Sequence, residues 1–253
     1  MDVTQLYESF MALEDPSFWQ DAYMKFYRAW FVGDRWKQYL QGMATTIEVT
    51  VIALIIGVIL GVLVAVVRTA HDQQRPGRHN FLLGFFNLFC KIYVTVIRGT
   101  PMMVQMLIMG FVIFASSRNT TMVGALALGI NSGAYVAEII RGGLMSLDPG
   151  QMEAGRSLGL NYFDTMRFIV VPQAFKAILP SLGNEFITLL KDTSLISVVA
   201  GREIVYFAQA IVARTYEAMY PFLITAAMYL VLVLLFTWLQ GKLERRLRQS
   251  DRR

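Results

Sequence analysis

Residues 49–67 read VTVIALIIGVILGVLVAVV, without a single charge. A helix needs about 20 mostly apolar residues to cross ~30 Å of hydrocarbon, where no water satisfies an open backbone. The stretch therefore predicts a membrane-spanning helix. Gly57 and Gly61 lie four apart, on one helix face, where a second helix can approach closely.

Outward from that run, residues 222–240 are equally free of charge, and residues 119–137 interrupt their apolar character only with neutral polar side chains. Both predict further spans. Residues 81–117 are apolar but broken by Lys91, Arg98 and Pro101, while 177–201 contain Glu185, Lys191 and Asp192. Each of these is compatible with one crossing or two.

The composition agrees with a bilayer as solvent. Of 253 residues, 55% are hydrophobic and 16% charged, with a mean hydropathy of +0.48, which is too apolar for an ordinary soluble domain. The net charge of +5 does not point to nucleic acid, because the basic residues gather beside spans. Arg68, Arg75 and Arg78 follow the first run, and Lys242, Arg245, Arg246, Arg248, Arg252 and Arg253 follow the last. Both clusters read as cytoplasmic, and both suit anionic membrane lipid. Cys90 is the single cysteine, which excludes an internal disulfide and a multi-cysteine metal site, and His71 and His79 fall in one polar loop with no third ligand marked out. No metal site is expected. Residues 1–42 lack the short apolar core of a cleavable signal. Their Trp19, Trp30, Phe31 and Trp36 suit an interfacial, amphipathic segment on the extracytoplasmic side.

If both basic clusters are inside, an even number of crossings separates them. Four is the simplest count, giving five spans at about 45–67, 98–117, 121–141, 184–201 and 221–240, with the N-terminus outside and the basic tail 242–253 in the cytoplasm. Six spans stay open as an alternative. Parity also places the loop 148–172 in the cytoplasm.

That loop is helix-competent. Asp148, Pro149 and Gly150 form a helix-start signature ahead of Glu153 and Ala154. Gly155 and Gly159 recur four apart, predicting a side-chain-free strip on which another protein can dock closely. Phe163, Met166, Phe168 and Ile169 add apolar mass before Pro172, which is expected to break the run.

The order Glu153, Ala154, Gly155, Gly159, Ile169, Val171, Pro172 resembles the EAA loop of permease subunits of bacterial ABC importers. Gly155 stands where a second alanine is usual, and Val171 where a leucine is. The run Ala134, Tyr135, Val136, Ala137, Glu138, Ile139, Ile140, Arg141, Gly142, Gly143 is similar to the polar amino-acid branch of that family. So are Gly183 to Phe186, Lys191 to Leu195, and Arg98, Gly99, Thr100, Pro101. The likeness covers roughly 39–243. It implies an all-α polytopic fold, with a five-helix type I permease domain at 43–241 and a coupling helix that docks on an ATPase subunit. The implied residues for that docking are Glu153, Ala154, Gly155, Gly159 and Pro172. It further implies two ATPase subunits, a second permease subunit that is identical or paralogous, an extracytoplasmic amino-acid-binding protein, and residence in the bacterial inner membrane. The chain has no Gly, four residues, Gly-Lys-Ser/Thr sequence and so no phosphate-cradling loop. It is expected to be no enzyme itself, with no cofactor of its own and with ATP and Mg bound by the partner ATPase.

Within the fourth expected span, Glu185 and Asp192 lie seven apart and share a helix face at about 100° per residue. Thr188 sits at the edge of that face, and Lys191 is turned more than a quarter circle away. An amino-acid zwitterion needs acceptors for its ammonium and donors for its carboxylate, so these four are candidates for the translocation path. Pairing with another helix or the second subunit, or simple placement at the water boundary, are the competing readings. Arg98 and Pro101 are expected to mark the membrane boundary at the start of the second crossing, with Arg98 snorkelling. A secondary transporter or channel without an ATPase is the competing class. A membrane enzyme is not supported: Gly155, Arg156, Ser157, Leu158, Gly159 has nucleophile-elbow spacing but no strand-to-helix turn to sit on.

Overall fold

The computed structural model describes residues 2–74 and 80–250. Arg75, Arg78 and His79 of the first polar loop, and Arg252 and Arg253 of the tail, lie outside the described residues. No strand occurs among the described residues.

The chain opens with α1 (Val3–Met11) and α2 (Phe18–Trp30). Both begin with a capping box, Asp2 with Gln5 and Ser17 with Gln20, which satisfies backbone donors that an isolated short helix would leave open. Tyr27 Oη donates to Thr4 Oγ1 at 2.9 Å, and its ring stacks on Tyr7 at 4.5 Å, closing the two helices into a hairpin. Lys25 donates to Asp21 one turn away at 2.7 Å, a hydrogen bond that holds the ammonium's pKa above its ordinary value. Trp19 stays exposed, whereas Trp30 stacks on the buried Tyr39. Gly33 and Asp34 then take left-handed backbone and turn the chain into α3.

α3 (Arg35–Asp72) contains the expected span 45–67 and is about 57 Å long at 1.5 Å per residue. His71 belongs to its last turn, where a loop was expected. α6 (Thr120–Met145) packs along α3, and the glycines make the seam possible. A Cβ on Gly57 would fall 2.9 Å from Ser132 Oγ, and one on Gly61 2.7 Å from Val136 Cβ, distances no methyl group tolerates.

The second crossing differs from expectation. α4 (Phe81–Gly99) is by itself long and apolar enough to span, and α5 (Met102–Ile108), extended by a π-helical turn at Met109–Ile113, follows a break at Thr100 and Pro101. The range 98–117 therefore begins at the end of one helix rather than at the start of a span. Gln105 Nε2 turns back to donate to Ile97 O and Thr100 Oγ1, both at 2.8 Å, which satisfies a carbonyl the break frees.

After α6 come α7 (Gly150–Ser157) and α8 (Tyr162–Thr165). A π-helical turn at Met166–Val170 leads into α9 (Val171–Asp192). A 3-10 segment at Thr193–Val199 ends α9, α10 (Ile204–Thr215) leaves at 45°, and α11 (Met219–Ser250) closes the bundle. Among the described residues, four helices are long and apolar enough to cross a membrane, and counting the bent pair as one span makes five. Buried Val49, Ala125, Leu128, Met106, Leu189 and Val199 form one core cluster, and Tyr39, Leu190, Ile204, Ile211 and Leu232 anchor a second. Exposed Phe81, Leu82, Phe89 on α4 and Leu230, Val231, Leu234 on α11 face outward, as lipid-facing side chains do.

Candidate functional site

Residues 148–172 form two short helices joined by a turn. Asp148 Oδ1 accepts from Gly150 N–H at 2.8 Å and starts α7. The helix stops at Ser157, so Gly155 and Gly159 do not share one helix face. Gly155 is buried, because Thr165 of α8 lies directly over it and a Cβ there would strike Thr165 Oγ1 and Cγ2. Gly159 has φ +80° and closes the helix, its N–H reaching Arg156 O at 2.9 Å while Leu160 N–H reaches Gly155 O at 3.0 Å. The expected strip is thus corrected to one internal contact and one turn. What α7 and its turn leave exposed are Glu153, Ala154, Arg156, Ser157, Leu158 and Gly159, with Phe163 exposed on α8.

Pro172 does not break the run either. It occupies the first turn of α9, and Val171 N–H bonds Met166 O in the widened π turn just before it. The wider turn accommodates a residue that has no N–H to give. Gln173 Nε2 donates to Gln151 Oε1 at 3.0 Å, tying α9 back to α7. The loop is therefore mechanically continuous with the fourth crossing.

Inside the bundle the path candidates separate. Glu185 Oε1 accepts from Ser132 Oγ at 2.7 Å, joining α9 to α6. Thr188 and Lys191 are exposed and Asp192 is half-buried, and these three make no side-chain hydrogen bond among the described residues. Beside Ser132, Asn131 Nδ2 donates to Gln105 Oε1 at 3.0 Å. Consecutive residues of α6 thus bond α5 through Asn131 and α9 through Ser132.

Arg98, expected to snorkel at the membrane boundary, also has an acidic neighbour. Its guanidinium lies 3.9 Å from Glu138 and 5.3 Å from the Tyr135 ring centroid. Arg68 also pairs with Glu138, and Arg141 donates to it at 2.9 Å. One carboxylate thus gathers guanidiniums from α3, α4 and α6. Sequence reasoning missed this role of Glu138, although its three-residue spacing from Arg141 on a helix was a usable signal. Glu203 was missed as well. It is fully buried at the head of α10, accepting from Val205 N–H, Tyr206 N–H and Tyr229 Oη, each at 2.8 Å. Among the described residues no three His, Cys, Asp or Glu side chains gather in a metal-binding arrangement.

A broken second crossing, a bent fourth crossing and a short paired-helix loop between the third and fourth are the geometry to be matched. Residues 77–249 match the family described as binding-protein-dependent transport system inner membrane component. The chain belongs to this family. The arginine transport system permease protein ArtQ of Bacillus subtilis (strain 168) is 34% identical over 215 residues, covering 84% of this chain and 93% of its own. The glutamine transport system permease protein GlnP of Escherichia coli (strain K12) is 37% identical over 166 residues, 64% of this chain and 76% of its own. A crystal structure of an amino acid ABC transporter with histidines matches with a TM-score of 0.74 at 39% identity, covering 83% of this chain and 94% of that one. The permease is therefore the membrane subunit of an ATP-driven importer, served by a binding protein, and the ATPase is a separate subunit.

Proposed function

We infer that the permease imports a polar amino acid across the bacterial inner membrane by alternating access. Two ATPase subunits bind ATP and Mg and drive it, and a second permease, identical or paralogous, completes the pathway. The N-terminus is extracytoplasmic and the basic tail cytoplasmic, following the positive charge beside the spans. Membrane lipid surrounds the bundle. The exposed side chains Glu153, Ala154, Arg156 and Leu158 carry the contact with the ATPase, with Gly155, Gly159 and Pro172 shaping the backbone beneath them. Because Gln151 on α7 holds Gln173 on α9, a displacement of the loop reaches Glu185 through one helix. The observation that carries the cargo is that relatives 34% and 37% identical are named for arginine and glutamine. The path candidates Glu185, Thr188, Lys191 and Asp192 supply both signs of charge for such a zwitterion.

Reconstitution tests this reading. The permease, its ATPase and its binding protein are placed in proteoliposomes, and ATP hydrolysis and uptake of labelled glutamine and arginine are followed. Loaded binding protein is expected to stimulate both. Gradient-driven flux through the permease alone, with no response to ATP, would instead identify a secondary transporter or channel.

A further inference from the structure

At the N-terminal end of α6, a full helix length from the loop that follows its C-terminus, lies a cleft of about 240 Å³. α3 contributes Thr45 and Glu48 to its walls, the head of α6 contributes Asn119 and Thr121, and the turn before α10 contributes Arg202. Two of its apolar lining residues, Val49 and Ala125, belong to the buried core cluster with Leu128 and Val199. The cleft is smaller than the ~300–1,000 Å³ of most drug-sized pockets and suits one small headgroup or metabolite.

An acid and a base, Glu48 and Arg202, both line this cleft, and both side chains are exposed. Neither the Glu48 carboxylate nor the Arg202 guanidinium makes a hydrogen bond or an ion pair among the described residues. The mounting of Arg202 is firm: its N–H donates to Thr121 Oγ1 at 3.1 Å, and Thr120 Oγ1 donates to Ala200 O at 3.1 Å, pinning the turn to α6. Glu48 stands on the long α3 one residue before the uncharged run 49–67, at the edge of the hydrocarbon. An ionisable group at that depth faces a cavity or a partner. Asn119 and Thr45 add neutral donors and acceptors between the two charges.

The geometry points to a binding site for a small zwitterion, its ammonium on Glu48 and its oxyanion on Arg202. The path candidates Glu185 and Asp192 do not line this cleft. Two molecules share the required chemistry. One is a free α-amino acid, whose presence here rests on the import reading above; the other is the ethanolamine headgroup of a phospholipid, which does not.

The test uses the purified complex of permease and ATPase. Native mass spectrometry reads retained phosphatidylethanolamine, and equilibrium binding of labelled glutamine without binding protein, after exchange into phosphatidylcholine nanodiscs, reads the amino-acid arm. At least one ligand is expected to bind, and E48Q and R202Q are each expected to weaken it by about tenfold or more. E48D should retain most of the binding. Wild-type protein that holds neither ligand, or variants that hold both as wild type does, overturns the site. Uptake is measured separately, so an inactive wild-type importer that still retains the headgroup sinks the import reading and supports the cleft.

Discussion

Ser132 Oγ and Glu185 Oε1 lie 2.7 Å apart and join the third and fourth crossings. A hydroxyl donating to a carboxylate fixes the acid in place and leaves its second oxygen to accept from a cargo ammonium. Glu185→Gln keeps the shape and removes the charge. Uptake is expected to fall at least about tenfold, with ATPase binding intact, since a charge-assisted hydrogen bond carries roughly 1.5–3 kcal/mol. Ser132→Ala should act on stability more than on uptake. If uptake by Glu185→Gln matches wild type, Glu185 serves packing alone. Asp192→Asn is measured alongside, because Asp192 shares the helix face but lacks the hydroxyl partner.

Gly155 lies under Thr165, so the join between α7 and α8 is packed without a gap. Gly155→Ala should push the helices apart at a cost of about 1–3 kcal/mol, as overpacking does. The expected outcome is weaker co-purification of the ATPase and a lower unfolding temperature. Thr165→Ala removes the two nearest atoms and is predicted to restore part of the loss in the double variant. No rescue would mean that the glycine meets the ATPase rather than Thr165.

The left-handed backbone at Gly159 gives a different expectation. Gly159→Ala costs roughly 1–2 kcal/mol whatever space surrounds it, because Cβ crowds the carbonyl at positive φ. Gly159→Asn is tolerated better, since asparagine visits that region readily. ATPase association should therefore rank glycine, then asparagine, then alanine, with Gly159→Trp close to alanine. A docking strip would instead rank the variants by side-chain volume.

These two glycines mark where sequence reading ran out. Their spacing of four shares a face only if the helix continues, and α7 stops at Ser157. Residues 49–67 were legible because hydrocarbon imposes a composition that no other solvent does. The same logic failed at 98–117. At the break at Thr100 and Pro101, Gln105 reaches back to Ile97 O, a contact that no hydropathy pattern encodes. The acidic neighbour of Arg98 was not legible for a related reason, since Glu138 lies 40 residues on in the sequence and on another helix. Motif order located the loop well, but not the reason for each residue in it. Pro172 reads as a breaker until the π turn before it is seen.

Glu203 carries the largest stability expectation. It is fully buried, and its two oxygens serve Val205 N–H, Tyr206 N–H and Tyr229 Oη. An apolar side chain there leaves three donors without an acceptor, at about 1–3 kcal/mol each. Glu203→Ala should therefore lower the unfolding temperature of the purified permease far more than Tyr229→Phe, which removes one donor and leaves the two backbone bonds in place. Glu203→Gln should fall between them, because its amide oxygen still accepts while its NH₂ meets further donors. The effect should reach folding before transport, since α10 packs Ile204 against Gly42 of α3, where even a Cβ would clash with backbone. Loss of uptake in a Glu203→Ala permease that unfolds at the wild-type temperature would contradict this assignment and place the acid in the transport cycle instead.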